Sequence, residues 1–178
     1  MTVKILTASD FKEMPWKNGG GSTTELYRIN APGNESFLFR LSKASVKTSG
    51  PFSIFPNIDR ILILLKGKGF KLKFTAIEKT LTKEENISSF KGEESIHCDL
   101  LDDECVDFNI MTDRNFATSS VKIHTLTNNS TQNFMANSDL QFIYAVESDE
   151  LYTLDKGESY FFTSKEEINL ITIDVKLI

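Results

Sequence analysis

Short segments in which apolar and polar residues alternate dominate this chain, and helical periodicity is scarce. Residues 70–74 place their apolar side chains on one face and their lysines on the other, and residues 170–177 alternate in the same way. Residues 61–65 are apolar throughout, as expected of a central strand that is covered on both faces. Residues 66–69 and 155–158 are typical of hairpin turns. The pattern therefore predicts an all-β sandwich or barrel.

The predicted strands fall into two groups. A chain of 178 residues is long enough for one domain or for two small fused halves. The polar stretch 128–133 is the best candidate for a loop between halves, which predicts a first half of about residues 1–127 and a second of about 128–178. Only four strands are predicted after this loop, so we expect the second half to share its core with the first. Residues 1–178 would then form a single unit.

One short helix is predicted near residues 8–14, with Thr7 or Ser9 as its N-cap. No other segment shows a clear helical period.

Composition and charge exclude several classes of protein. The net charge of −5 argues against a nucleic-acid-binding surface, and no apolar run is long enough to cross a bilayer. The first residues show no signal-peptide pattern, so we expect none. The two cysteines, Cys98 and Cys105, do not imply a disulfide framework, and a cytoplasmic location is predicted. The two histidines, His97 and His124, lack the spacing of metal ligands, so no metal and no cofactor are expected.

The stretch from Trp16 to Glu25 has the composition of a binding site. It holds the only Trp of the chain and three consecutive glycines, and glycine lets another group approach the main chain closely. It matches neither the P-loop pattern nor the dinucleotide-binding pattern, so phosphate binding is not predicted. We expect one wall of a small-molecule site here. Its candidate binding residues are Lys17, Asn18, Gly19, Gly20, Thr23 and Glu25.

Three further segments supply polar residues. In residues 39–42 the alternation puts Arg40 and Ser42 on one face, and in residues 107–111 it groups Asp107 with Asn109. These faces could be exposed to solvent, or they could line a barrel around a small ligand. The pair Asp59 and Arg60 follows a rigid Pro-rich loop and either staples that loop or contacts a ligand. Arginine is scarce, and a scarce planar donor favours a role in binding a carboxylate or forming a buried ion pair. The four arginines are Arg28, Arg40, Arg60 and Arg114.

These segments together resemble the HutD/Ves family of bacterial proteins. The matching stretches are residues 16–21 with Thr23 and Glu25, residues 39–44, residues 50–56 with Asp59 and Arg60, and residues 107–112 with Arg114. The resemblance implies a double cupin, in which two fused β-barrel halves share a core, without the usual cupin metal ligands. It also implies an association with histidine utilisation, where a small carboxylate intermediate would be bound and pathway flux moderated. No settled enzymatic activity comes with the family.

We therefore expect a metal-free protein that binds a small organic acid, such as a formylated or amidated glutamate derivative or urocanate. Arg40 and Arg60 are the predicted carboxylate clamps, and Lys17 would add positive charge. The residues expected to orient the ligand are Asn18, Thr23 and Asn109. Those expected to hold the basic groups in place are Glu25, Asp59 and Asp107.

Two alternatives remain open at this stage. In the first, the protein is an isomerase or hydrolase acting on a small carboxylate, with Glu25 or Asp107 as the general base. In the second, the barrel is a scaffold for a protein partner that meets the acidic residues 99–104. A homodimer is compatible with each of these hypotheses.

Overall fold

The computed structural model describes residues 3–31, 33 and 36–178, and these residues form strands joined by turns. The prediction of an all-β chain is confirmed. The strands are β1 Lys4–Leu6, β2 Lys12–Pro15, β3 Gly21–Asn30, β4 Phe37–Val46, β5 Gly50–Pro51, β6 Ile58–Lys66, β7 Phe70–Lys73, β8 Glu78–Leu81, β9 Ile87–Lys91, β10 His97–Leu100, β11 Cys105–Asp113, β12 Ala117–Leu126, β13 Ser130–Met135, β14 Leu140–Ala145, β15 Glu150–Asp155, β16 Ser159–Ser164 and β17 Ile168–Leu177.

The strands form two compact units whose boundaries differ from the predicted halves. Lys12–Asn115 form one, which we call the central unit. Phe116–Ile178 and the segment ending at Phe11 form the other, the terminal unit. The predicted boundary after residue 127 lies inside the terminal unit, because β12 pairs along its whole length with β17 and β1 pairs with β15. That the halves share one core stays a prediction.

The central unit contains a sheet ordered β2-β3-β4-β11-β6-β9 and a second sheet ordered β5-β10-β7-β8. Strand β6 contains the apolar run at residues 61–65. Leu62, Ile63 and Leu64 are all buried there, so the strand is covered on both faces as predicted. In β7 the predicted alternation is also confirmed, because Phe70 and Leu72 are fully buried. One apolar cluster of this unit comprises Leu62, Leu64, Phe70, Leu72, Leu81, Phe90, Ile96, Cys98 and Cys105.

The predicted helix at residues 8–14 is wrong beyond its first turn. Only Ala8–Asp10 are helical, as a single 3-10 turn without buried residues. Thr7 is its N-cap, and the Thr7 N–H donates to the Asp10 carboxylate over 2.9 Å. Isolated short helices are marginal in water. The chain then extends as β2, whose hydrogen bonds to β3 satisfy its backbone groups instead.

The terminal unit contains a sheet ordered β1-β15-β14-β17-β12 and the two-stranded sheet β13-β16. The four strands predicted after residue 133 are present as β14 to β17. The predicted loop at residues 128–133 is partly wrong, because β13 begins at Ser130 and pairs with β16. Its polar composition did not indicate a strand, because Phe134 is the one buried residue of β13. The apolar cluster of this unit comprises Leu126, Phe134, Ala136, Ile143, Ala145, Tyr152, Leu154, Phe162 and Leu170.

Candidate functional site

Three adjacent strands of the central unit bring polar side chains to one face of the sheet. Strand β11 pairs with β4 on one side and with β6 on the other. Met111 is opposite Arg40 in one ladder and opposite Arg60 in the other. Neighbouring strands are about 4.8 Å apart, so the two arginines start roughly 10 Å from each other, with Met111 between them. The sheet thus presents two guanidinium groups across one intervening strand.

A cavity of about 590 Å³ lies over this face. Eight of the residues predicted for the site line it: Lys17, Asn18, Thr23, Arg40, Ser42, Arg60, Asp107 and Asn109. Four of these, Ser42, Arg60, Asp107 and Asn109, are no more than 7% exposed. The alternative that these strand faces are solvent faces is therefore wrong for these residues.

Arg60 is a buried cation with incomplete hydrogen bonding. Its Nη2 donates to Asn109 Oδ1 over 2.6 Å, whereas its Nε is buried and has no hydrogen-bond partner in the described structure. Its guanidinium carbon lies 5.0–5.7 Å from the ring centroids of Phe52, Phe55 and Phe90. Burial lowers the pKa of Arg60 to about 10, so the group remains protonated at neutral pH. Aromatic faces stabilise such a cation but do not neutralise it.

Asp107 is the buried acid of the cavity. The side-chain amide of Asn109 donates to Asp107 Oδ1, so a chain of hydrogen bonds runs from Arg60 through Asn109 to Asp107. Desolvation raises the pKa of Asp107 to about 7, and the positive charge of Arg60 opposes part of that rise. Near neutral pH this carboxyl therefore exchanges readily between its charged and neutral forms. It only partly compensates the charge of Arg60.

Glu25 positions Arg40 from outside the cavity. The Arg40 Nε donates to Glu25 Oε2 over 2.7 Å, while Arg40 Nη1 lies 3.9 Å from the sulfur of Met111. The structure thus shows Glu25 holding a basic group in place. Because Glu25 is not among the lining residues, its candidacy as a general base has no geometric support.

The glycine-rich segment is a turn between β2 and β3, and its glycines permit the conformation and close packing of the main chain. Gly19 has a positive φ of 73°, and its N–H donates to the Trp16 carbonyl over 3.0 Å. A Cβ on Gly21 would lie 2.1 Å from the Ser45 carbonyl oxygen. Gly19 and Gly20, which were predicted to contact the ligand, do not line the cavity. The group that approaches Gly21 closely is the main chain of β4 at Ser45, and not a ligand.

Trp16, Lys17 and Asn18 form the part of this turn that lines the cavity. The Trp16 Nε1–H donates to Thr23 Oγ1 over 2.8 Å, and the Asn18 side-chain oxygen accepts the Gly20 N–H over 3.0 Å. Because Thr23 accepts from Trp16, its hydroxyl proton can be donated to a ligand.

Asp59 and Arg114, two further candidate binding residues, are not among the residues that line the cavity. Successive side chains of β6 point to opposite faces of the sheet, so the Asp59 carboxylate does not position the Arg60 guanidinium. Instead, the Arg114 Nε donates to Asp59 Oδ1 over 2.9 Å, and the two Nη groups bind the Glu93 carboxylate over 2.7 and 2.9 Å. Arg114 Nη2 also donates to the Ile58 carbonyl over 3.0 Å. Arg114 therefore links the ends of β6 and β11 to the turn after β9.

Several lining residues escaped the predicted set. Met111 shares the face of Asp107 and Asn109, so the alternation already pointed to it. Phe52 and Phe55 come from the Pro-rich loop, whose aromatic residues were the only signal. Cys98 reaches the cavity from β10, and no local pattern marks it. Burial raises the pKa of Cys98 to about 12, so its thiol is protonated and a poor nucleophile at neutral pH.

The described residues contain neither a metal-binding cluster nor a helix that could span a membrane. Among residues 3–31, 33 and 36–178, no group of three or more His, Cys, Asp or Glu side chains is placed to hold a metal ion. No helix in the part of the chain that the structure describes has the length and hydropathy of a membrane span.

Sequence comparison relates the chain to one protein family. The family model described as HutD matches residues 8–175. An uncharacterised 21.2 kDa protein in the hutC 3' region of Pseudomonas putida is 37% identical over 109 residues, covering 61% of this chain and 57% of that protein. Protein Ves of Escherichia fergusonii is 34% identical over 118 residues, covering 64% and 61% respectively. The chain thus spans about three fifths of the length of these curated relatives.

Solved structures extend the similarity to the whole chain. A conserved protein of unknown function from Pseudomonas aeruginosa PAO1 has a TM-score of 0.86 at 25% identity, covering 99% of this chain and 100% of that one. HutD from Pseudomonas fluorescens SBW25, in its formate condition, has a TM-score of 0.76 at 23% identity with the same coverage. The bacterial pirin of Escherichia coli in complex with nickel(II) has a TM-score of 0.70 at 7% identity, covering 97% and 98%. These likenesses confirm the predicted cupin-type fold.

Proposed function

The chain belongs to the HutD family, and from that premise we propose that it binds a small organic acid in the cavity of the central unit. Its role would be regulatory, within histidine utilisation as the family name suggests. The observation that carries the proposal is the pair of guanidinium groups on either side of Met111, one of which is buried and only partly hydrogen-bonded.

The charge of the cavity favours an anion. Arg40, Arg60 and Lys17 line it, whereas the acidic lining residue Asp107 is only partly ionised near neutral pH. Leaving a buried cation without a full counter-charge is costly, and an incoming carboxylate would supply that charge. A guanidinium offers two parallel donors, which match the two oxygens of a carboxylate. Asn18 and Thr23 supply further polar contacts that would orient the rest of the ligand.

The direct test is isothermal titration with formate, N-formylglutamate and urocanate. We expect saturable binding of at least one of these acids. Arg40→Gln is expected to weaken that binding about 10-fold, because one charge-assisted donor pair is lost. Arg28→Gln is the matched control, since Arg28 also approaches Glu25, at 3.9 Å, but does not line the cavity. Saturable binding that both Arg40→Gln and Arg60→Gln leave unchanged would contradict the proposal.

Asp107 is expected to make acid binding depend on pH. Its pKa is raised to about 7, so above that pH its negative charge repels a bound carboxylate. The ligand therefore prefers the protonated form, and affinity should fall above about pH 7 by up to about tenfold per pH unit. Titrations across this range measure the slope. In Asp107→Asn the slope should vanish, and a slope that persists in this variant would show that another group is responsible.

A second candidate function rests on the same residue. A buried carboxyl with a pKa near neutrality, lining a cavity beside two cations, has the properties of a general base. The protein would then be an isomerase or hydrolase that acts on the bound carboxylate. Mass spectrometry of candidate acids incubated with the protein tests this. Turnover that Asp107→Asn abolishes while binding persists would establish that the protein is an enzyme. If none of the acids is changed, the protein binds its ligand without catalysis.

A further inference from the structure

The terminal unit repeats the strand arrangement that builds the cavity of the central unit. In the central unit β11 lies between β4 and β6, and in the terminal unit β17 lies between β12 and β14. The central strand is antiparallel to both neighbours in each unit. In the terminal unit, one set of neighbours across these three strands consists of Ser120, Asp174 and Gln141.

This set of residues lies beside a cavity that is open to solvent. A space of about 340 Å³ in the terminal unit is lined by the three residues of that set and by Lys122, His124 and Thr172, among others. Lys122 is opposite Thr172, which is two residues before Asp174 and therefore on the same face of β17. The sheet thus places a cation close to Asp174 on that face. In the part of the chain that the structure describes, Lys122 forms no ion pair.

Gln141, like Arg60, is buried and incompletely hydrogen-bonded. Gln141 is 7% exposed, and its Nε2 donates to Asp174 Oδ1 over 2.9 Å. Its Oε1 is buried without a hydrogen-bond partner among the described residues. Reversing the amide would turn this oxygen towards the Asp174 carboxylate, which cannot donate when ionised. A buried acceptor without a donor is destabilising, and Gln141 is one of the residues that line the cavity.

Two more side chains that line this cavity, Asp174 and His124, offer hydrogen-bond acceptors. Ser138 also donates to Asp174 Oδ1, over 3.1 Å, so both recorded hydrogen bonds of this carboxylate use one oxygen. Thr172 donates its hydroxyl proton to the Lys122 carbonyl over 3.3 Å, so it accepts from the Nε2–H of His124, 3.0 Å away. This network assigns His124 Nδ1 as an acceptor. Burial lowers the pKa of His124, which keeps the ring neutral at pH 7.

From this arrangement we infer that the terminal unit holds a second ligand site, and that it takes a free amino acid. The ammonium group would donate to Asp174 and Gln141, and the carboxylate would face Lys122. The first cavity is cationic and selects an acid alone, whereas the second offers acceptors beside one cation and so selects both groups of a zwitterion. The site is separate from the one proposed for organic acids.

Titration of the protein with the proteinogenic amino acids, one at a time, tests the inference, with methylammonium and acetate as single-group probes. We expect saturable binding of at least one amino acid and much weaker binding of both single-group probes. Asp174→Asn is expected to reduce the amino-acid affinity by about tenfold or more. Lys122→Gln should also weaken it, and this exposed position keeps the test valid if Asp174→Asn disturbs the fold.

Asp155→Asn and Lys165→Gln are the matched controls, because both residues are exposed in the same unit and do not line the cavity. Both should bind amino acids as the wild type does. Absence of binding for every amino acid at millimolar concentration would overturn the inference. So would binding that survives Asp174→Asn and Lys122→Gln but disappears in Arg40→Gln, because the amino acid would then occupy the central cavity. Weaker organic-acid binding in Arg40→Gln, with amino-acid binding intact, would separate the two sites.

Discussion

Replacing Arg60 with Met is expected to reduce the affinity for organic acids by at least about 100-fold. The change removes a buried positive charge and its planar donors from the floor of the cavity. Met has a similar length, and its apolar chain can pack among the rings of Phe52, Phe55 and Phe90. Removing one partner of a buried polar network is destabilising, because Asn109 Oδ1 loses its donor and Asp107 loses its neighbouring cation. Isothermal titration should therefore show lost binding, and the thermal midpoint should fall while the protein remains folded.

Arg114→Met is the matched control for this experiment. It removes the same charge from a residue that clamps Asp59 and Glu93 outside the cavity, so it should lower stability and leave the affinity unchanged. Arg60→Lys keeps a charge but loses the planar fork, so its affinity should fall between wild type and Arg60→Met. If Arg60→Met binds the acid as the wild type does, Arg60 is a structural cation and the ligand lies elsewhere.

Gly21→Ala is expected to lower the free energy of unfolding by about 3 kcal/mol. The new Cβ would lie 2.1 Å from the Ser45 carbonyl oxygen and 3.1 Å from two ring carbons of Trp16. Backbone cannot move aside as a flexible side chain does, so β3 and β4 would separate where Gly21 pairs with Val46. Urea denaturation measures the loss. Trp16 is the only Trp and lines the cavity, so its fluorescence should shift as well.

Gly19→Ala separates this steric effect from the conformational preference of glycine. A Cβ on Gly19 meets nothing within 4 Å, but its φ of 73° strains any residue with a side chain. A cost of about 1 kcal/mol is expected, with little change in the fluorescence of Trp16. Equal losses in the two variants would show that strain in the turn, and not contact between the strands, makes the triple glycine necessary.

Local alternation accounts for most of the candidate site. Arg40 with Ser42, and Asp107 with Asn109, were assigned to common faces from the sequence because successive side chains of a strand point to opposite sides. The same rule separates Asp59 from Arg60, yet their adjacency in the chain suggested a pair. The partner of Asp59 is Arg114, 55 residues further along. A contact over that distance depends on which strands become neighbours, and no local pattern records it.

The boundary predicted after residue 127 and the helix predicted at residues 8–14 also involve segments whose structure depends on strands that are remote in sequence. Residues 117–126 precede the predicted boundary, but they belong to the terminal unit because β12 pairs with β17. Lys12–Pro15 became a strand because β3 offered hydrogen bonds that a short isolated helix could not match. In both cases the local sequence allowed two outcomes, and a remote strand selected one of them.

Local patterns along the chain were enough to predict many of the strands, the faces on which their side chains lie and the glycines at the turn, because each of these depends on neighbours in sequence. The tertiary structure decided which polar face became a cavity, since burial of Arg60 and Asp107 requires several strands to close over them. It also set the pKa of Asp107 to about 7, because desolvation exists only once the fold has excluded water. Residue types can be read from the chain, but the free energy of a buried charge depends on what surrounds it.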